Sequence, residues 1–143
     1  MSFITSLRAG ASALTAQRLR MDVISGNIAN INTTRSADGG PYKRREVVLT
    51  AAPAATGFAS LREQAATPTG VRVAGVVEES GVRLVNDPGH PDADANGNVA
   101  YPDIDLVQEM TDMMSAVRAY EASVTALNAL KGMAMKALDL AKA

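Results

Sequence analysis

Large apolar residues recur with four-and-three spacing near both ends of this chain, and that spacing limits what the chain can fold into. In the N-terminal region the spaced positions run from Phe3 to Ile31, and seven of the nine are large and apolar. Residues spaced in this way share one narrow helix face, so the repeat predicts a long helix that packs lengthwise against other helices. The seven stripe residues are Phe3, Leu7, Leu14, Met21, Ile24, Ile28 and Ile31.

The same rhythm returns near the C-terminus, after a proline at position 102 that stops the preceding structure. Asp105 and Gln108 match the capping-box pattern, which predicts that the second helix begins there. Lys131 is the only charged residue on this stripe. At 1.5 Å per residue the two helices would be roughly 43 and 55 Å long. The residues predicted to pack are Leu106, Met110, Met113, Val117, Tyr120, Val124, Leu127 and Leu138.

Small residues form a second apolar side on each helix. Ala9, Gly10 and Ala16 lie on such a side in the first helix, and Ala116 and Ala129 do so in the second. Two interpretations follow: the helices form a self-contained hairpin, or they bury their outer faces against neighbouring copies. The second is favoured, because a helix that is apolar on two sides is typically surrounded, and a monomer would leave an unusually large apolar surface in water.

The stretch between the helices has the composition of short strands and turns. β-Branched residues alternate in part through "YKRREVVLT" and "VRVAGVVEE", and "GVRLVND" and "NVAYP" are shorter candidates. Small and polar residues dominate 53–69 and predict a loop. The predicted fold is mainly α with a small β-rich insert, in which two long terminal helices form an antiparallel coiled-coil-like pair within a helical-assembly subunit. Its ranges are 1–31 for the N-terminal helix, 32–102 for the central module and 103–143 for the C-terminal helix.

The composition argues against several classes of partner. A formal net charge of −1 gives no long-range attraction for nucleic acid or an acidic membrane surface. The absence of cysteine leaves no disulfide and no thiolate metal site. The N-terminus shows no basic region followed by an apolar run, so no cleaved signal peptide is expected, and no stretch is long enough to span a bilayer. We therefore expect neither a nucleic-acid partner nor direct membrane insertion.

A calcium-loop pattern is the sharpest chemical motif. The loop would span 92–103, with Asp92, Asp94, Asn96, Gly97 and Asp103 at its positions 1, 3, 5, 6 and 12. The alternative function is therefore a small secreted calcium-binding module. Helices normally flank such a loop, whereas prolines surround this one, so a turn held by Asp and Asn side chains is the competing interpretation.

Signals for catalysis are weak. His90 is the only histidine, and one histidine without a nucleophile or a second histidine is a poor basis for a reaction. Packing within its loop is the competing interpretation. No glycine-rich phosphate loop, carboxylate pair or triad is present in the sequence. The chain is predicted to be non-enzymatic, without cofactor or metal.

One basic run, from Lys43 to Arg45, leaves three interpretations open. It could contact a phosphate, although a single triplet in a nearly neutral chain is more typical of a solvated strand face. The favoured functional interpretation is charge pairing with a neighbouring subunit, through Glu78, Glu79 or Asp87.

The order of these motifs resembles the flagellar rod and hook axial proteins of bacteria. That family begins with a helix ending in "NIANxNT", matched here by "NIANINT" from Asn27 to Thr33, and closes with an "RAYEA" helix, matched from Arg118 to Ala122. The stretches "NTTRSADGGPYKRRE" and "DPGHPDADANGNVAYP" further resemble the proximal-rod branch of the family. The resemblance covers essentially the whole chain outside 53–69, and Ser123 departs from the asparagine that is common at that position.

The resemblance implies a structural subunit of the proximal rod, which assembles helically into the hollow drive shaft that transmits motor torque for motility. It implies a basal-body location in the periplasm, reached by type III export without a cleaved signal peptide, with Phe3 and Leu7 in the export segment "FITSL". The implied partners are copies of this chain, other rod subunits, the base adaptor, the MS-ring and export gate at the proximal end, and the export apparatus. The terminal helices would form the inner tube.

The "NIANINTT" segment then has a physical interpretation. Asn and Thr side chains offer backbone groups alternative partners, so the segment fits a helix end that turns sharply. Asn27, Asn30, Asn32 and Thr33 are predicted to bond exposed carbonyls and amides at this hinge, or those of the next subunit. A plain helix end without a contact role is the alternative.

Overall fold

The computed structural model describes residues 3–37, 39–52 and 70–142. The elements run α1 (Phe3–Ala29), β1 (Arg44–Ala52), β2 (Gly70–Glu79), β3 (Val82–Asn86), β4 (Asn98–Pro102) and α2 (Leu106–Leu140). The prediction of a mainly α fold with a small β-rich insert is confirmed, as are the four strands. The loop predicted over 53–69 lies outside the described residues.

The two helices run antiparallel, as the order of their contacts shows. A methyl group added at Gly10 would lie 2.6 Å from Cδ2 of Leu127, so the helices approach closely there. Further along α1, Arg20 pairs with Asp112 at 3.3 Å. Near its end, the side chain of Asn27 reaches that of Glu109, close to the start of α2. The small residues of α1 thus permit the close approach that their pattern indicates.

The inner face of α2 differs in register from the predicted stripe. Its two buried residues, Glu109 and Ala116, are seven apart. Half-buried residues continue the same four-and-three rhythm, and four of them belong to the predicted stripe or its continuation whereas Ser123 and Leu130 do not. The half-buried residues on this line are Met113, Tyr120, Ser123, Leu127, Leu130 and Ala134. The small side chains of Ala116 and Ser123 let the backbones come together, whereas Met110 and Val117 are exposed.

The most exposed residues of α1 lie along one narrow strip. The β1–β2 hairpin covers a second side of this helix: Ser12 Oγ accepts from the Val71 N–H at 3.0 Å. Gly70 fits here because a Cβ would come within 2.6 Å of Ser12 Oγ. Apart from Phe3, the exposed positions form one four-and-three line: Ile4, Arg8, Ala11, Thr15, Arg18, Asp22, Ser25 and Ala29.

The strands form two separate two-stranded antiparallel sheets, β1–β2 and β3–β4. β1 pairs with β2 from Arg44 opposite Glu79 to Ala52 opposite Gly70, with an irregularity between Val48 and Leu49. β3 is exposed along its whole length, whereas β4 contributes the buried residue Val99. The described part of the chain has a thin apolar core, consisting of Ala16, Ile24, Val99, Ile104 and Ala116.

Candidate subunit-packing surface and its polar anchor

Two fully buried polar side chains lie where α1 ends, β1 begins and α2 begins. Asn27 is 0% exposed and Glu109 is 1% exposed, which makes them more enclosed than most apolar residues of the chain. Burying such groups is costly unless every polar atom finds a partner. Their hydrogen bonds therefore define a structural site, which we call the polar anchor (Asn27, Arg44, Arg45 and Glu109).

Asn27 binds the backbone of β1 through both ends of its amide. Its Nδ2 donates to the carbonyl oxygen of Arg45 at 2.8 Å, and its Oδ1 accepts from the Arg45 N–H at 2.9 Å. The hydroxyl of Tyr42 also donates to Oδ1, at 3.2 Å. One side chain thus provides the two bonds that a residue of an adjoining strand would provide. This fixes the last turns of α1 against the start of β1.

Glu109 extends the anchor into α2. Its Oε1 accepts from Arg44 Nε at 2.7 Å, and its Oε2 accepts from Asn27 Nδ2 at 3.0 Å. Arg44 also pairs with Glu79 of β2 at 3.0 Å. Desolvation lowers the pKa of Arg44, but its hydrogen bonds and charge attraction to Glu109 and Glu79 outweigh that effect, so the pKa is raised. The Arg44 guanidinium therefore keeps its positive charge beside Glu109.

The polar anchor joins three elements that are distant in sequence. The separations are 18 residues from Asn27 to Arg45 and 82 residues from Asn27 to Glu109. A network with every member bonded specifies one arrangement of its elements, because any shift leaves buried groups unpaired. Sequence reasoning missed Glu109. The available signal was a carboxylate seven residues before Ala116, on the small-residue face of α2.

The other residues of the predicted hinge lie just beyond the anchor. Asn30 caps the end of α1, because its side chain and its backbone N–H both donate to the Gly26 carbonyl oxygen, at 2.9 and 3.1 Å. Thr33 donates its hydroxyl to Asn30 Oδ1 at 3.1 Å. Asn32 is exposed. The chain reverses here through bonds within itself, and a contact of these residues with another subunit stays a prediction.

The basic run finds its partners within the same chain. Lys43 and Arg45 both pair with Glu78, at 4.0 and 3.1 Å, and Arg44 pairs with Glu79 and Glu109 as described above. The antiparallel register of β1 and β2 places these opposite charges side by side. Glu78 and Glu79 pair with this run within the chain, and pairing of the run with a neighbouring subunit stays a prediction.

The calcium-loop residues are used in turns. Asp94 Oδ1 accepts from the N–H groups of Asn96 and Asn98, both at 2.8 Å, and Gly97 adopts a positive φ of 77° in the same turn. The carboxylate of Asp92 accepts from Thr34 Oγ1 at 2.8 Å and pairs with Arg35. Among the described residues there is no group of three or more acidic, His or Cys side chains that could hold a metal ion. The calcium hypothesis is not supported.

His90 has a packing role in the same loop. Its Nδ1 accepts from the Asp92 N–H at 3.1 Å. The ring meets Tyr101 edge-on, with 6.2 Å between ring centroids. Both contacts stabilise the connection between β3 and β4.

The predicted packing residues divide into a covered set and an outward set. Ile24 is buried, and the half-buried members are Leu7, Leu14, Met21, Ile28, Ile31, Met113, Tyr120, Val124 and Leu127. The outward set remains exposed in the single chain, with Met110 at 54% as an example. This set comprises Phe3, Leu106, Met110, Val117 and Leu138. An apolar surface that the chain itself does not cover is therefore available to other subunits.

The capping-box prediction is correct in its first half. Asp105 is the N-cap of α2 and accepts from the Val107 and Gln108 N–H groups at 2.8 and 3.4 Å. Gln108 does not reach back: its Nε2 donates to Asp112 Oδ2 at 3.2 Å.

None of the described helices is both long enough and apolar enough to cross a membrane.

Two protein-family models match this chain, one over most of α1 and one over β4 and α2. The family model described as "Flagella basal body rod protein" matches residues 7–35, and that of the "Flagellar basal body rod FlgEFG protein C-terminal" matches residues 95–140. The flagellar basal-body rod protein FlgC of Bacillus subtilis is 44% identical over 152 aligned residues, which cover 99% of this chain and 100% of that protein. FlgC proteins of Borreliella burgdorferi and Escherichia coli O157:H7 are each 42% identical, covering 98% of both chains.

Proposed function

The chain belongs to the FlgC family of flagellar basal-body rod proteins and is a structural subunit of that rod, and from this premise we propose how it is built in. The subunit assembles helically with its own copies and with other rod subunits to form the proximal rod. Its two long helices pair in the manner of a coiled coil and form the inner tube. The central module, residues 32–102, lies outside that tube, and the whole shaft transmits torque.

The outward set of apolar residues is the observation that carries this proposal. In the single chain, α2 exposes Leu106, Met110, Val117 and Leu138, although all of them follow the heptad rhythm. Burying such a side chain from full exposure gains roughly 1.5–3 kcal/mol, and these four, 37–58% exposed, each retain part of that gain for assembly. Burial of these side chains by neighbouring subunits therefore favours assembly.

The polar anchor gives the subunit the rigidity that a shaft requires. Torque that passes between the helices and the outer module must cross the junction of α1, β1 and α2. Because Asn27 and Glu109 are buried with their bonds made, rotation at this junction would break several buried hydrogen bonds together. The proposed role of the anchor is therefore to keep the module at a fixed angle to the tube.

Delivery and anchoring complete the proposal. The chain is exported by the flagellar type III apparatus without a cleaved signal peptide, and the segment from Phe3 to Leu7 engages the export gate. At the proximal end the subunit contacts the base adaptor and the MS-ring. The support for these steps is the family membership together with the "FITSL" pattern at the start of α1.

A substitution at Met110 tests the packing proposal without disturbing the fold. Met110 is exposed, so Met110→Asp should leave the helical circular dichroism of the free chain unchanged, while rod formation and motility are lost because an unpaired charge would be buried on assembly. Met110→Leu keeps an apolar side chain and is the matched control. Motile cells that carry Met110→Asp in their basal bodies would show that this face stays in water.

A further inference from the structure

Most methionines in the described part of the chain are exposed, and the exposed ones all lie on α2. Methionine is an apolar residue that more often fills gaps inside a core. An exposed methionine brings its thioether within reach of small reagents dissolved in water. The exposed methionines are Met110, Met114, Met133 and Met135, at 54%, 54%, 60% and 56%.

Two further methionines are less accessible and provide a reference within the same chain. Met21 of α1 and Met113 of α2 are half-buried. Met113 lies on the line of α2 that faces α1, whereas Met114, the next residue in the sequence, is exposed. The chain therefore carries shielded and accessible thioethers side by side.

Met110 and Met114 belong to a continuous exposed apolar line. The line follows spacings of three, four and three residues, so its members share one side of α2. Met110 and Val117 belong to the outward set that the packing proposal assigns to neighbouring subunits, and a neighbour that covers both also meets Met114. The members of the line are Val107, Met110, Met114 and Val117.

We propose, resting on the packing function above, that Met110 and Met114 are oxidation sites of the unincorporated chain, and that their conversion to sulfoxides blocks incorporation. The oxidant is a peroxide, of which hydrogen peroxide is the simplest. The thioether sulfur attacks one peroxide oxygen and loses two electrons as the S–O bond forms and the O–O bond breaks. The second oxygen takes the proton of the first and leaves as water.

The sulfoxide changes what the helix can bury. A flexible apolar side chain gains a polar oxygen that accepts hydrogen bonds, and methionine sulfoxide reductases can reverse the change. Water satisfies this oxygen in the free chain, so the fold is kept. A neighbour that covered it would remove that water, and burying an acceptor without a partner is costly. The block therefore acts at incorporation, and incorporation in turn shields the two sulfurs.

The rate of sulfoxide formation at each methionine tests the site assignment. In the full-length free chain treated with hydrogen peroxide, mass spectrometry should show Met114 oxidised several-fold faster than Met113. Met110 should likewise be oxidised faster than Met21. In isolated basal bodies, Met110 and Met114 should be as slow as Met113. Equal rates at Met113 and Met114 in the folded free chain would refute the sites, and unchanged rates in basal bodies would refute their shielding.

Removal of the two thioethers tests the block in cells. Met110→Leu/Met114→Leu takes away both proposed sites, and Met133→Leu/Met135→Leu removes the same number of exposed methionines elsewhere on α2 as the matched control. Peroxide is added while new basal bodies form, and their number is compared with that in an untreated culture of the same strain. The natural chain and the control should lose new basal bodies, whereas the first variant should retain them. An equal loss in all three strains would overturn the block.

These outcomes are distinguishable from a failure of the rod function. Equal loss in the treated strains leaves the subunit role intact, because the untreated cultures still contain the chain in their basal bodies. Absence of the unsubstituted chain from untreated basal bodies would overturn the rod function and the block together. The relative oxidation rates of Met113 and Met114 in the free chain do not depend on the rod and would still decide the site assignment.

Discussion

The side-chain amide of Asn27 bonds both backbone polar groups of Arg45, donating to its carbonyl oxygen at 2.8 Å and accepting from its N–H at 2.9 Å. A helix thereby acts as a one-residue strand at the edge of β1. The arrangement uses no loop and no additional strand. It also means that one side chain joins the end of α1 to the start of the sheet, beside the Arg44–Glu109 and Ser12–Val71 bonds.

Removing that side chain should cost stability well beyond the effect of a surface change. Asn27→Ala would leave the Arg45 N–H and carbonyl without these partners, and we expect the free energy of unfolding to fall by about 2–4 kcal/mol. Urea denaturation of the free chain measures this free energy of unfolding. Asn32→Ala, at an exposed position of the same motif, should change it by less than about 0.5 kcal/mol. Equal effects at Asn27 and Asn32 would contradict a stabilising role for the bonds from Asn27 to Arg45.

The Arg44–Glu109 pair should behave as a coupled unit. Arg44→Met leaves a buried carboxylate without its cation, and we expect a loss of about 3–5 kcal/mol. Glu109→Gln combined with Arg44→Met should cost less than the sum of the single changes, because the second change removes the stranded charge. Arg45→Met removes only a half-exposed pair with Glu78 and should cost less than about 1 kcal/mol. Additivity in the double-mutant cycle would show that the pair is not coupled.

Two glycines in the helices should respond to alanine in opposite ways. A Cβ at Gly10 would lie 2.6 Å from Leu127 Cδ2, whereas a Cβ at Gly132 meets nothing within 4 Å. Gly132→Ala should stabilise the helix by about 1 kcal/mol because alanine has the higher helix propensity, and the midpoint of thermal unfolding should rise. Gly10→Ala should lower it, because displacement of Leu127 costs about 1–3 kcal/mol. In a Leu127→Ala background, Gly10→Ala should become stabilising, which a clash elsewhere would not produce.

The end of α2 should depend on assembly for its protection. Residues 135–140 are all exposed. They lie at the end of α2, at and beyond the apolar groove that Phe3 and Leu7 line together with Leu127. Amide hydrogen exchange should be fast there in the free chain and slow in the assembled rod, whereas the amides near Ala116 should be protected in both. Fast exchange of the terminal turns in the rod would show that no neighbour covers them.

The elements could be predicted from local pattern, whereas their register could not. The heptad rhythm gave both helices, and β-branched alternation gave four strands, because each signal lies within a few residues of sequence. The four-and-three spacing on α2 predicts residues that pack but does not say which of them face α1. Close backbone approach selects small side chains there, Ala116 and Ser123. How near two helices come is a tertiary property that spacing does not encode.

The polar anchor escaped prediction for a related reason. Asn27 is predicted to bond backbone groups at a helix end or those of the next subunit, and pairing between subunits is the favoured functional interpretation of the run that contains Arg45. The position of Glu109, which unites them, seven residues before Ala116 indicates its helix face but not its partners, which lie 65 and 82 residues away in the sequence. Networks of this kind follow from the folded topology, so a single sequence shows their members without showing their partnership.

The scarcity of buried apolar residues also has a kinetic meaning. The described part of the free chain is held by a thin core of five apolar side chains, two of them alanines, and apolar helix residues such as Met110 and Leu138 stay exposed to solvent. Such a subunit should unfold readily before it is incorporated and slowly afterwards. Incorporation is therefore hard to reverse, because a departing subunit must first lose the apolar contacts that it shares with its neighbours.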